Sequence, residues 1–385
     1  MIRILLTGDI HIGKKYDRYP EAKDVLTAAR LECVDRIVKK AEDERCDLIV
    51  ITGDTFDNTS KIRGGDVLGV VKALSAFGGR VLMIPGNHDY YTGEESVWRD
   101  FEAALPAFGG NIVLMTEFRP YSFDIGEESL TVYPAFCQSK HSHTNNLGWI
   151  RELPPDGADY HIGIAHGSVE GVSPDDKKEY FPMTEEELLS IPADAWFIGH
   201  THVPYPRELR EDKEVTGYRI YNAGTPQQPD LSTNTDGRCF IVSLDKKASG
   251  TEVSARSLPV GDIRFFDLKA DTAGRSLREV LSEALSGIPD RSVIRLTLSG
   301  ALSREDHAQR KAIAAEAMGR FITYEVDDRD LCEVITKERI RSEFPEIGFA
   351  AAFLEAIGDP RELQMAYGLV GRHRDAGQGG RIEDQ

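Results

Sequence analysis

AWFIGHTHVPYP, residues 195–206, is an apolar run that stops at a glycine and continues as His200, Thr201 and His202. In extended backbone, residues i and i+2 point to the same side, so both imidazoles face one spot beyond the end of a buried strand. An isolated His-x-His reads more readily as two exposed loop histidines, and the rest of the chain must choose between the readings. Four other apolar runs stop in a similar way. RILLTGD (3–9) leads into Gly8-Asp9-Ile10-His11, DLIVITGD (47–54) ends on Gly53-Asp54, RVLMIPGNHD (80–89) on Gly86-Asn87-His88-Asp89, and YHIGIAHG (160–167) on Ala165-His166-Gly167.

Residues 23–45, 66–77 and 95–108 carry helical apolar spacing between and after the first three of these runs. The resulting β–α–β–α–β rhythm predicts a parallel sheet covered by helices. SLTVYPAF, YHIGIAHG, AWFIGHTH, YRIYNAG, RCFIVSL and EVSARSL then form a β-rich series. The fold class expected is α/β: a two-sheet sandwich flanked by helices, occupying residues 1–261. From 262 the rhythm resets to strand, helix, strand, helix, strand, which predicts a small α+β domain over 262–337. Residues 338–371 read as C-terminal helices broken near Gly358-Asp359-Pro360, and 372–385 as a disordered tail.

Composition excludes several classes. The five cysteines are scattered and never spaced as Cys-x-x-Cys, which argues against a disulfide framework or a thiolate-held metal and for a reducing cytoplasm. No apolar run approaches the ~20 residues of a membrane span. Met1 leads directly into a strand-like stretch, which predicts no signal peptide. The formal net charge of −18 repels nucleic acid at long range, so a nucleic-acid substrate would need a local cationic device.

Taken singly, Asp9 and Asp54 could cap the following helices, Asn87 could be a turn residue and His166 a core histidine. Their coincidence at five equivalent strand ends is what those readings leave unexplained, because open α/β sheets bind ligands beyond the carboxyl ends of their strands. Aspartate, asparagine and histidine form an O/N donor set suited to borderline divalent metals. Seven such residues (Asp9, His11, Asp54, Asn87, His166, His200 and His202) exceed one tetrahedral site and suit a pair of cations used for phosphoester hydrolysis.

The order DxH…GD…GNHD…H…GHTH resembles the calcineurin-like metallophosphoesterases. The resemblance implies that Asp9, His11 and His202 hold one metal, that Asn87, His166 and His200 hold the other, and that Asp54 bridges them. It makes His88 an acid or transition-state stabiliser over the scissile phosphate, oriented by Asp89. Within the superfamily, DIHIG, IAHGSVEG, NAGTPQQ (222–228) and the following small domain are similar to the nuclease subunit of SbcCD-type DNA-break-repair complexes. That branch implies a manganese-dependent DNA exonuclease with a DNA-capping domain. It also implies an SbcC-like ABC-type ATPase partner bound through residues ~340–371, no membrane association, and room for a homodimer. A phosphodiesterase or phosphatase acting on a small nucleotide or other phosphoester is the alternative. Two features depart from the branch. Asp57 stands where some members carry a second catalytic histidine, and residues from 262 onward hold 18 basic against 23 acidic residues, whereas a duplex-binding surface is normally basic.

Overall fold

The computed structural model describes residues 1–153, 156–211, 213–344 and 349–378. By packing, the chain divides into two units, Met1–Arg264 and Phe265–Gln385. The first extends past the composition-based limit at 261 because Ile263 is buried and its carbonyl accepts a 2.6 Å hydrogen bond from the Gln227 side chain.

Among the described residues, the first unit contains twelve strands: β1 (Ile2–Thr7), β2 (Leu48–Ile51), β3 (Arg80–Met83), β4 (Ile112–Leu114), β5 (Tyr121–Ile125), β6 (Glu128–Ala135), β7 (Tyr160–His166), β8 (Ala195–Gly199), β9 (Glu214–Thr216), β10 (Ile220–Tyr221), β11 (Arg238–Lys247) and β12 (Gly250–Pro259). They form a seven-stranded sheet, β4-β3-β2-β1-β11-β12-β9, and a five-stranded sheet, β10-β8-β7-β6-β5. Strands β1 to β4 are parallel, as are β6, β7, β8 and β10, while β11 and β12 run antiparallel.

The period-2 alternation of strands explains the layering. In β1, Ile2, Ile4 and Leu6 point into a core shared with Ile162, Ile164 and Phe197 of the second sheet. Leu5 faces the other way, with Ile49, Ile51, Val81 and Met83, toward three helices. These are α1 (Lys23–Asp43), α2 (Gly64–Ser75) and α3 (Ser96–Phe108), which bury Cys33, Val34, Ile37, Val70, Leu74, Trp98 and Phe101. The outer face of the second sheet packs Tyr133, Trp196 and Ile198 against α4 (Gly148–Arg151) and α5 (Glu185–Ser190). The layers are therefore helix, sheet, sheet, helix.

The second unit has a three-stranded sheet in which β14 (Ser292–Leu302) lies between β13 (Arg264–Asp271) and β15 (Thr323–Glu333). Leu296 and Leu298 pack with α6 (Leu277–Ala284) and α7 (Arg304–Met318). Three further helices follow: α8 (Lys337–Glu343), α9 (Phe349–Ala356) and α10 (Pro360–Gln378). Pro360 opens α10, where its missing N–H costs nothing, and the Asp359 carboxylate accepts from the amides of Arg361 and Glu362. Helix α10 runs through Gln378, so residues 372–378, expected to be disordered, are helical; residues 379–385 lie outside the described residues.

Phe197 is fully buried between the sheets, while Phe349 is 85% exposed. Phe197→Ala is expected to cost about 3–5 kcal/mol in urea unfolding, and Phe349→Ala no more than about 0.5 kcal/mol.

Candidate metal centre

The carboxyl ends of β1, β2 and β3 in one sheet and of β7 and β8 in the other meet at one place. Beyond β1, the Asp9 amide donates to the Gly53 carbonyl (3.0 Å) and the His11 amide to the Asp54 carbonyl (2.9 Å). The two strand ends are thereby laced together. Asp9, His11, Asp54 and His200 all have positive φ, at 50°, 53°, 49° and 98°. Such backbone is rare for residues with a side chain and clusters at functional sites. Gly86 is required by contact: a Cβ there would lie 2.2 Å from an Asp54 carboxylate oxygen.

The seven candidate donors converge. Asp9, His11 and His202 offer ligand atoms lying within 4.8 Å of one another, and so do Asp9, Asp54 and His166. The Nε2 atoms of His11 and His202 face each other at 3.0 Å. The Asn87 Oδ1 atom is 3.0 Å from both His166 Nε2 and His200 Nδ1. One Asp54 oxygen lies 3.8 Å from His11 Nε2 and 3.5 Å from His166 Nε2, between the two groups. His166 Nδ1 sits 2.8 Å from the Thr52 carbonyl. A carbonyl only accepts, so Nδ1 carries a hydrogen and Nε2 is turned toward the cluster, the arrangement by which outer partners aim a ligating imidazole. The Asn87 side-chain nitrogen is buried without a hydrogen-bond partner, its oxygen being the atom aimed inward. Facing ring nitrogens, inward carboxylates and this amide oxygen fit cations as ligands better than they fit one another.

The electrostatics agree. Burial raises the Asp9 carboxyl to about 8, His166 opposing and Asp54 adding to the rise. Burial also pushes Asp54 upward, but His166 and His11 hold it well below the ordinary carboxylate range. His166 rises to about 9 because Asp54 and Asp9 outweigh its burial. Burial, with His166 nearby, lowers His200 to about 4, and burial, with His11 nearby, lowers His202 to about 2.

His88 is placed differently. Its ring packs edge-on to His11, with centroids 4.8 Å apart. Its Nδ1 lies 3.2 Å from the Asp57 carbonyl oxygen and 3.9 Å from the Asp57 carboxylate. Asp89 does not orient it. The Asp89 carboxylate is fully buried and accepts from the amides of Gly86 (2.6 Å) and Phe56 (2.9 Å), so it staples the GNHD turn to the segment after β2. The side chain beside His88 is Asp57, which also lies 3.3 Å from His11 Nδ1. Two further residues shape the centre without a sequence signal. Tyr180 lays its ring against His200, centroids 4.8 Å apart. Arg30, buried in α1, donates to the Ile10 carbonyl between two candidate ligands and to the Gln227 carbonyl.

The family signature of the calcineurin-like phosphoesterases matches residues 2–204, more than half of the chain. The chain belongs to this family. Among curated relatives, it is 26% identical over 174 residues to the uncharacterized metallophosphoesterase YhaO of Bacillus subtilis; the match covers 44% of this chain and 40% of that one. Similar solved structures include TT1561 of Thermus thermophilus, at 11% identity and a TM-score of 0.41, covering 67% of this chain and 99% of that one. The phosphoesterase YfkN of Bacillus subtilis is 13% identical with a TM-score of 0.42, covering 67% and 90%. A dimetal phosphatase from Danio rerio is 14% identical with a TM-score of 0.34, covering 66% and 98%. Among the described residues, no helix is long and apolar enough to cross a membrane.

Chelator treatment is expected to lower the thermal midpoint, and a cation restored at 100 times its Kd to return about 2.7 kcal/mol of stability. Asp54→Ala should erase that metal dependence. A native midpoint indifferent to chelator and cation would show that the cluster holds no metal.

Proposed function

We propose that the chain is a metal-dependent DNA exonuclease working with an SbcC-like ABC-type ATPase, its two divalent cations being manganese. Asp9, His11 and His202 would hold one cation, Asn87, His166 and His200 the other, with Asp54 shared. When bound, such a pair lowers the pKa of water and draws charge from the non-bridging phosphate oxygens. The observation that carries the reading is the position of Asp54 between two imidazole groups, with the half-exposed His88 beside them. Because the Asp57 carbonyl accepts from His88 Nδ1, Nε2 is the nitrogen left to exchange a proton with the leaving oxygen. The DNA substrate is supported by the DIHIG and HGSVEG motifs and by the small α+β unit that follows the catalytic one, in the place of a DNA-capping domain.

One observation favours the second reading, a small nucleotide or other phosphoester. A cavity of about 410 Å³, lined by Ser168, Glu170, Asp175 and Met183 among others, opens just after His166, within the size range of small-molecule sites. The test is incubation with manganese and end-labelled single- and double-stranded DNA, beside bis-p-nitrophenyl phosphate and a mononucleotide panel. Progressive shortening of the DNA supports the nuclease, whereas turnover confined to the small substrates replaces it. His88→Asn is expected to keep the metal content and slow hydrolysis by about 10²–10⁴-fold. Metal loss in this variant would make His88 a ligand instead.

The ATPase partner is supported by the C-terminal helices. Ile340, Phe344 and Leu354 are buried among them, with Ile357, Leu363 and Val370 packed alongside; Ile347 lies outside the described residues. Phe349, Phe353, Met365 and Leu369 remain exposed, with i, i+4 spacing on each of α9 and α10, the pattern of anchors for helix docking. Phe349→Asp combined with Met365→Asp should abolish co-purification with the ATPase while leaving hydrolysis of a small diester intact. Undiminished co-purification would place the contact elsewhere.

A further inference from the structure

His11 and His88 differ in what holds the ring nitrogen turned away from the centre. The Nε2 atom of His11 faces His202 Nε2 at 3.0 Å and lies 3.8 Å from the Asp54 carboxylate. When Nε2 is the ligating atom, Nδ1 carries the ring hydrogen, and a buried N–H needs an acceptor. His11 Nδ1 is buried and has no formed hydrogen bond. The Asp57 carboxylate lies 3.3 Å from it. His88 is served otherwise: the Asp57 carbonyl oxygen is 3.2 Å from His88 Nδ1, while the carboxylate stands off at 3.9 Å. One residue therefore meets two imidazoles with different atoms. Its side chain is nearer the candidate ligand, and its backbone is nearer the candidate acid.

The backbone delivers the carboxylate to this place. Beyond β1 and β2 the two segments continue side by side, with Ile12 and Phe56 paired in parallel. The His11 amide donates to the Asp54 carbonyl, the Ile12 amide to the Thr55 carbonyl and the Asp57 amide to the Ile12 carbonyl, each at 2.9 Å. Phe56 is fully buried, its ring edge-on to Trp98 with centroids 5.5 Å apart, and its amide donates to the Asp89 carboxylate at 2.9 Å. Asp57 thus leaves a laced pair of segments whose other members are anchored in the core. Among the described residues, the ion-pair neighbours of its carboxylate are His11 and His88, with no lysine or arginine paired to it.

We propose that Asp57 is a positioning residue for one of the two cations: its carboxylate accepts the hydrogen of His11 Nδ1 and holds His11 Nε2 toward Asp9 and His202. An outer carboxylate of this kind fixes both the tautomer and the ring orientation of a ligating histidine. His88 is aimed by the Asp57 carbonyl instead, which every substitution at this position leaves in place. The side chain therefore governs the occupancy of one cation rather than proton transfer at the phosphate. The inference rests on the two-cation reading of the centre and is independent of whether the substrate is DNA or a small phosphoester.

The test titrates manganese into the full-length, metal-stripped protein by calorimetry and records the manganese concentration that gives half-maximal hydrolysis of bis-p-nitrophenyl phosphate. The native protein is expected to bind two equivalents. In Asp57→Ala one of the two binding events should weaken about 10–100-fold while the other stays as in the native protein, and the half-maximal manganese concentration should rise in step. Asp57→Asn, whose amide oxygen also accepts a hydrogen bond, should recover most of the loss. Asp57→Ser, too short to reach the ring, takes the place of Asp57→Ala if that variant lacks a native thermal transition. Two unchanged binding events in the folded variant overturn the assignment. Equal weakening of both overturns it as well, making Asp57 a support of the whole centre. So does a slower rate at saturating manganese with both affinities intact, which would make the carboxylate the partner of His88. A native protein that binds no manganese removes the two-cation reading, and this assignment with it.

Discussion

A carboxylate with almost no solvent exposure, set between two imidazoles, is the constraint from which the rest of the first unit follows. Asp54 stands 3.5 Å from His166 and 3.8 Å from His11 and also accepts the His88 amide at 2.8 Å. Placing a charge there is costly unless it is compensated on all sides. The compensation comes from the ends of five strands, which explains the backbone around it. The strand ends must approach closely enough to exclude a side chain at Gly86, and Asp9, His11, Asp54 and His200 must adopt left-handed backbone to turn inward.

Much of this was legible in the sequence because the signal is repetitive. Five apolar runs ending in the same few residue types report five buried strands and one shared edge, and parallel strands covered on both faces read as continuous apolar runs. The strand-end residues Asp9, His11, Asp54, Asn87, His166, His200 and His202, which the structure brings together, could be singled out as candidates for that reason. Features outside the repeat were not legible. Strands β4 and β5 are short, and β5 alternates in burial. Asp89 was misread because adjacency in sequence is not adjacency in space: its neighbour's ring turns toward Asp57, while its own carboxylate turns back to backbone amides. Arg30 shares a helix face with Leu26, Cys33 and Ile37, and nothing in a periodic pattern distinguishes a buried arginine that binds carbonyls from one that reaches solvent.

The second unit illustrates a different limit. Apolar load alone cannot tell a residue that fills a core from one that awaits a partner. Among α8, α9 and α10, the same compositional excess divides into a small buried cluster and a set of exposed side chains, Phe349 and Met365 being the most exposed. The division is set by which turn of each helix faces its neighbour, a matter of packing angle rather than of composition.

The donors are also divided between the layers. Asp9, His11, Asp54 and Asn87 follow strands of the seven-stranded sheet, and His166, His200 and His202 belong to the five-stranded one. Between the sheets the interface is largely an apolar core, with a few polar links such as the Lys246 amide donating to the Tyr160 hydroxyl at 3.1 Å. A cation held by residues of both sheets would act as a rivet, fixing the shear between them to within the tolerance of a coordination bond.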